Sequence, residues 1–226
     1  MHPHPFGTLI AGLLLSFAAM AGPTTRAKSL PKAPSPAISC CTPEQARDDL
    51  AQLFETLEAI HPQLYHHRSR ESLQQALADL EPSALSTPLA LWRAAAPLVN
   101  SLGDGHTWLN LGETEFSTLL ADGVSLFPLA LRITPDRRVW VDADPFGRGV
   151  PVGAELHAID GQLMPELLAR LEAFEPGERE AFRLANLANR FSVQLKLAIG
   201  AGPDYGLNWS WQGQVSEQRI AGVALG

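Results

Sequence analysis

A chain of 226 residues is long enough for one or two domains with a real core. At 46% hydrophobic and 18% charged it reads as globular and only moderately charged. A formal charge of −7, with no run of five or more basic residues, speaks against a nucleic-acid binder.

Residues 6–21 form a short apolar run (Leu9, Ile10, Leu13, Leu14, Leu15, Phe17) that ends in Ala19-Met20-Ala21. Its length and its A-x-A-like end are those of a secretory signal peptide rather than a membrane span, although the start carries His2 and His4 and no Lys or Arg. We assign residues 1–21 as a signal peptide cleaved after Ala21. The expectation is a periplasmic or secreted protein with no stable membrane anchor after cleavage. Residues 22–41 are rich in Pro and Ser and lack periodicity, and are expected to be a disordered linker. Cys40 and Cys41 close it. They lie too far past the apolar run for a lipid anchor, and as neighbours they cannot staple distant segments. An intermolecular bridge, a strained vicinal bridge and free thiols all remain open.

Thr42-Pro43-Glu44-Gln45 has a capping residue, a proline suited to the first helical position and a glutamine at the capping-box position. Ala46, Leu50, Leu53, Phe54, Leu57 and Ile60 then recur at helical spacing until His61-Pro62 stops the run. A second helix is expected over 70–80, on Leu73, Ala76, Leu77 and Leu80. A third begins at Thr87-Pro88, carries Leu91, Trp92, Ala95, Leu98, Val99 and Leu102, and contains Pro97, which should kink it. Next comes Asn100-Ser101-Leu102-Gly103-Asp104-Gly105-His106-Thr107-Trp108, where two glycines bracket an aspartate just ahead of a histidine. Glycine permits positive φ and close backbone approach, so this turn can present His106 unusually; the plainer alternative is a helix-to-strand connection with no chemistry.

Alternation over 107–111 predicts a short strand. Phe127, Leu129, Leu131 and Ile133 alternate as another, and Thr134-Pro135-Asp136-Arg137 turns it back into Val139 and Val141. After a Gly/Pro-rich loop over 144–153, residues 154–159 read as a strand closed by Asp160-Gly161, a tight-turn pair. Pro165 opens a helix on Leu167, Leu168, Leu171 and Phe174. A long helix over 178–199 stops at Gly200. Tyr205, Leu207, Trp209 and Trp211 then form one aromatic strand face, 215–220 return, and the apolar tail 221–226 is expected to have nothing to pack against.

Serine chemistry needs an activated hydroxyl, a base and an oxyanion hole. The sequence has no G-x-S-x-G elbow. Only Lys28, Lys32 and Lys196 occur, and Lys196 reads as the solvated face of a long helix. His61, His66, His67, Asp104 and His106 are enough donors for a metal in principle, but no H-x-x-x-H or H-E-x-x-H spacing is present, so no metal site is assigned. Tyr65-His66-His67-Arg68 reads as an exposed loop, His157 as an outward-facing strand residue, and Gly147-Arg148-Gly149 as a weak phosphate signal.

Several stretches together resemble the N-terminal half of the C-terminal-processing (tail-specific) serine peptidases, including tricorn-like members. They are Leu57-Glu58-Ala59-Ile60-His61-Pro62-Gln63-Leu64-Tyr65; Ala96-Pro97-Leu98-Val99 with the Gly103-Asp104-Gly105-His106-Thr107 turn; Leu126-Phe127-Pro128-Leu129 with Val139-Trp140-Val141; and Val152-Gly153-Ala154-Glu155-Leu156-His157-Ala158-Ile159-Asp160-Gly161, which looks like the core of a PDZ-like module with Asp160 for the usual Asn. The resemblance implies an exported endopeptidase acting on unstructured peptides or protein C-termini, without a cofactor. In the branch with a Ser-His-Glu type arrangement it implies His106 as candidate general base, whereas in the serine–lysine branch that histidine is not the base; Gly103, Asp104, Gly105 and Thr107 are implied as turn-shaping residues. It also implies Gly153, Ala154, Glu155 and Leu156 as a peptide-binding sheet edge.

The implied architecture is α+β. A three-helix cap spans 42–105, the first peptidase-core strands span 106–143, a PDZ-like segment spans 144–175, and a long helix plus the aromatic strand spans 176–226. In such peptidases the nucleophilic serine lies in a later α/β core, and no serine here matches that motif. The expectation is a truncated or split member, inactive alone, whose exposed aromatic strand leaves an unpaired edge. A non-catalytic periplasmic peptide-binding module is the alternative.

Overall fold

The computed structural model describes residues 41–121 and 123–224. The expected signal peptide, and the expected linker up to Cys40, lie outside the described residues. The first helix, α1 (Pro43–Ile60), starts as the residues dictate: Thr42 Oγ1 accepts from Gln45 N, and the Gln45 side chain accepts from Thr42 N. Ser69 caps α2 (Arg70–Ala78), and Thr87 caps α3 (Pro88–Asn100), which runs through Pro97. These helices bury Phe54, Leu64, Leu73, Val99 and Leu102 in one cluster and Ala46, Leu50, Leu85 and Ala95 in a second.

The segment expected to be a strand over 107–111 makes no ladder and is a correction. Its backbone is drawn to the cap instead: Leu109 O accepts from Trp92 Nε1 at 2.8 Å, and Leu109 packs on the helical clusters. A helix absent from the pattern analysis follows, α4 (Glu113–Ala121). Its apolar residues are few and local, so period and length gave little signal.

The remainder is a mixed layer of antiparallel sheet and helix. The strands are β1 (Ser125–Leu126), β2 (Ala130–Ile133), β3 (Val139–Ala143), β4 (Glu155–Ile159), β5 (Gln162–Leu163), β6 (Asp204–Trp211), β7 (Gln214–Ala221) and β8 (Val223–Ala224). The main sheet runs β2-β3-β4-β6-β7, with β5 also on β4. Asp160 and Gly161, both at positive φ, close the β4–β5 hairpin as a primed turn requires. Against one face pack α5 (Met164–Glu172) and α6 (Glu180–Gln194). The latter ends in a π turn (Leu195–Ile199) stopped by left-handed Gly200. Phe127, Leu131, Val141, Leu156, Leu168, Leu171, Phe191 and Tyr205 belong to the single core between these layers. The α+β class is as expected.

Three further expectations change. The aromatic strand is not exposed along its length: Tyr205 and Leu207 are buried, and β6 pairs with β7 over its whole length and with β4 on the other side. The tail does find a partner, since Val223 and Ala224 pair with Leu126 and Ser125. Lys196 is half-buried rather than solvated, and its Nζ donates to Ala201 O at 2.7 Å.

Candidate active site

The Gly103 turn leaves the end of α3 with φ +74, and Gly103 N donates to Asn100 O. A Cβ on Gly103 would meet the His67 ring at 2.8 Å, so both backbone sign and space require glycine. The turn places Asp104 where four donors converge on its carboxylate. Oδ1 accepts from His106 N at 2.9 Å and faces His106 Nδ1 at 3.3 Å. Oδ2 accepts from Thr107 Oγ1 at 2.7 Å and faces His61 Nε2 at 2.9 Å. These bonds, led by the His106 backbone N–H, hold the Asp104 carboxyl far below the usual carboxylate range, against a smaller opposing effect of burial. Asp104 is therefore an anion held through both carboxylate oxygens.

The two histidines differ in what remains available. Gln63 N donates to His61 Nδ1, so the proton of that ring sits on Nε2 and points at Asp104. Both nitrogens of His61 are engaged, and its side chain is 16% exposed. His106 turns only Nδ1 to Asp104, and its side chain is 97% exposed. A carboxylate behind Nδ1 sets the tautomer that leaves Nε2 as a free lone pair facing solvent, the orientation a general base needs. Among the described residues no serine hydroxyl is hydrogen-bonded to His106.

Of the residues considered as metal donors, His61, Asp104 and His106 are brought together, while His66 and His67 stack edge to face with each other. The two rings nearest Asp104 are held by its carboxylate oxygens, and no grouping of three or more His, Cys, Asp or Glu side chains with metal-holding geometry occurs among the described residues.

The expected peptide-binding edge is corrected. β4 is interior, paired with β3 through Leu156 and Glu155 and with β6 along its other side, so its backbone has no open edge to offer a peptide. Ala154 and Leu156 are buried, and Glu155 is tied to Arg138 by two hydrogen bonds. Gly153 lies at the open end of the loop before β4, next to exposed Val152. His157 does face outward, but Ser210 Oγ on β6 sits 2.8 Å from its Nε2. This pair lies on the polar outer face of the sheet with Asn208 bonded to Glu217, and so reads as a cross-strand contact.

Sequence reasoning missed His61 as a partner of Asp104, because the two lie 43 residues apart with no local pattern linking them. It also missed the joint between cap and sheet layer. There Trp92 stacks on Phe174 with ring centres 5.0 Å apart, Arg93 Nε donates to Leu197 O, and Asn100 Nδ2 donates to Ala173 O at 3.2 Å. Behind this joint Glu175 is fully buried, and burial pushes its carboxyl up.

No protein-family model matches the sequence, and no curated protein matches it either. Solved structures do resemble the fold. Mature CPAF superposes with a TM-score of 0.53 at 18% identity, covering 80% of this chain and 35% of that one. A serine-to-alanine mutant of CPAF gives 0.54 at 18% identity, covering 80% and 34%. This chain thus spans about a third of the length of the structures it matches. At that identity the likeness is one of fold alone, a distant, CPAF-like α+β arrangement.

Proposed function

We propose that this chain is the base-bearing part of a serine endopeptidase of the tail-specific type, with His106 as general base and Asp104 as the carboxylate that orients it. The observation that carries the reading is the Asp104–His106 pair with Nε2 open to solvent on a CPAF-like fold. On this reading the nucleophilic serine is not one of the described residues, and these residues alone do not hydrolyse peptides. The substrate is an unstructured polypeptide or protein C-terminus. It approaches the His106 turn rather than β4, and no cofactor takes part. The leader-like residues 1–21 support a periplasmic or secreted location. N-terminal sequencing of the fractionated protein is then expected to begin at Gly22, and an intact Met1 would overturn the export reading.

The test of the catalytic division uses the purified chain with a serine-directed phosphonate and, separately, with unstructured peptides followed by NMR at His106. The expected result is no covalent adduct and a peptide-dependent shift of the His106 ring signals. An adduct on any serine overturns the division of the site. Peptide binding that leaves His106 unmoved favours the second reading, a non-catalytic peptide-binding module, for which the absence of a hydroxyl on His106 among the described residues also speaks.

A further inference from the structure

The two edges of the main sheet differ. At one, β2 is four residues long, follows Pro128, carries a register shift at Ala130–Leu131 and has α6 packed against it. Short, irregular or covered edge strands are how sheets avoid pairing with other chains. At the other edge β7 runs for eight residues, contains no proline and pairs with β6 in unbroken register. Among the described residues no strand lies beyond β7, and no backbone hydrogen bond outside the β6 ladder involves it.

The side chains of β7 sort by face. Ser216, Gln218 and Ile220 share the core face, where Ile220 is buried opposite Tyr205. Val215, Glu217, Arg219 and Ala221 share the outer face and are all exposed, Val215 at 68%. Their contacts within the chain are slight. Asn208 Nδ2 donates to one oxygen of Glu217 at 3.1 Å, and Arg219 Nη2 stands 3.9 Å from Asp160 Oδ1. This outer face is self-complementary in one antiparallel register. A two-fold axis through Gln218, perpendicular to the sheet, sets Glu217 opposite the partner's Arg219, and Arg219 opposite the partner's Glu217. Val215 then meets the partner's Ala221 at each end. Opposite charges across a strand pair stabilise it, and like charges directly opposed destabilise it. Sliding by two residues either way sets Glu217 against Glu217 or Arg219 against Arg219. A one-residue slip brings the core face of one copy level with the outer face of the other. The charges therefore select a single register.

We propose that β7 docks on β7 of a second copy of this chain, antiparallel about Gln218, and joins the two main sheets into one continuous sheet. The same patch serves both copies, so the contact closes as a two-fold dimer and does not propagate. A single pair of strands is a small interface, which places it among the weak, reversible contacts. Neither His106 nor Asp104 takes part, so the docking surface stands apart from the peptidase reading.

The test is sedimentation of the full chain over a range of concentrations. A monomer–dimer equilibrium in the micromolar range is expected. Arg219→Glu and Glu217→Arg each turn both cross-copy ion pairs into like-charge pairs, and each is expected to weaken the dimer by about tenfold. The double exchange Glu217→Arg with Arg219→Glu inverts both pairs without changing composition, and is expected to restore the dimer. Thermal unfolding checks that the variants are folded. A second measurement needs no variant. Val215 and Ala221 stand about 20 Å apart along one extended strand, too far for a direct NOE. An NOE between them in a mixture of labelled and unlabelled chains is expected, and can come only from the pairing of two copies. A monomer at every concentration overturns the proposal. A dimer that ignores both single reversals overturns it too, because another surface then holds the copies together. Weakening by the single reversals without rescue by the exchange overturns the register about Gln218.

Discussion

The helical cap and the sheet layer solve the burial problem differently. The sheet layer has one continuous core, in which β2, β3, β4 and β6 face α5 and α6. The cap divides its apolar residues among small clusters, one of which (Trp92, Ala96) also takes in Leu197, Phe174 and Val193 from the other half. A continuous core is cooperative, whereas small clusters open locally at lower cost. The candidate base therefore sits on the half with the thinner core, and its ring is held by Asp104 within the turn.

The largest effect is expected in the continuous core. Leu168→Ala removes a fully buried side chain from the centre of the α5 face, at a cost of about 3 kcal/mol. Denaturant unfolding should show the loss as one shifted transition with an unchanged slope. Two separated transitions would mean that the halves unfold independently.

Phe54→Ala, in the cap cluster with Leu64, Leu73, Val99 and Leu102, is expected to cost about 2–3 kcal/mol. Here the loss should be local. Amide exchange is expected to quicken in α1 to α3 while β3, β4 and β6 keep their protection. Equal quickening in both halves would erase the distinction drawn between them.

Asp104→Asn acts through polar contacts rather than area. It keeps the shape but turns a carboxylate with four donors into an amide that cannot serve them all, at a cost of about 1–2 kcal/mol. The carboxyl is held below its ordinary range in the folded state. Its contribution is thus present above the ordinary carboxylate pKa and is lost as pH falls toward the folded value. The variant should show a shallower acid-side decline in stability, and the chemical shifts of its His61 and His106 rings should differ from those of the native protein. An unaltered acid limb would show that Asp104 does not hold the two rings together.

Much of this was legible in the residues. The Thr42 and Thr87 caps, the apolar stripes of α1 and α3, the Thr134–Arg137 turn and the Asp160-Gly161 hairpin are local signals, and local physics decides them. The Gly103–Thr107 turn was legible as an unusual presentation of His106. What was not legible is pairing at a distance: His61 with Asp104, β8 with β1, and β4 enclosed on both sides. Alternation in 154–159 marks a half-buried strand, but the same alternation serves an edge or an interior position, and only the arrival of β6 decides between them. Strand alternation over 107–111 misled for a related reason, since Leu109 and Leu111 are apolar to pack on the cap rather than to face a sheet.

The smallest expected effect is the one that best separates the joint from the two cores. Glu175 is buried at the joint, and burial raises its carboxyl pKa, partly offset by Arg190 and Gln194. A carboxyl whose folded value lies above its unfolded one binds its proton more tightly when folded. It therefore contributes stability that is complete below the unfolded value and is lost as pH rises through the folded one, opposite in sign to Asp104. Glu175→Gln keeps size and polarity and removes the titration. At low pH the variant should match the native protein, and toward neutral pH it should equal or exceed it, because no buried charge has to form. Two carboxylates far apart along the chain would then tilt the pH profile in opposite directions, one from the turn and one from the joint. Unfolding free energies measured across the mildly acidic range read this directly, and a variant that loses stability as pH rises in parallel with the native protein would show that Glu175 is not the titrating group.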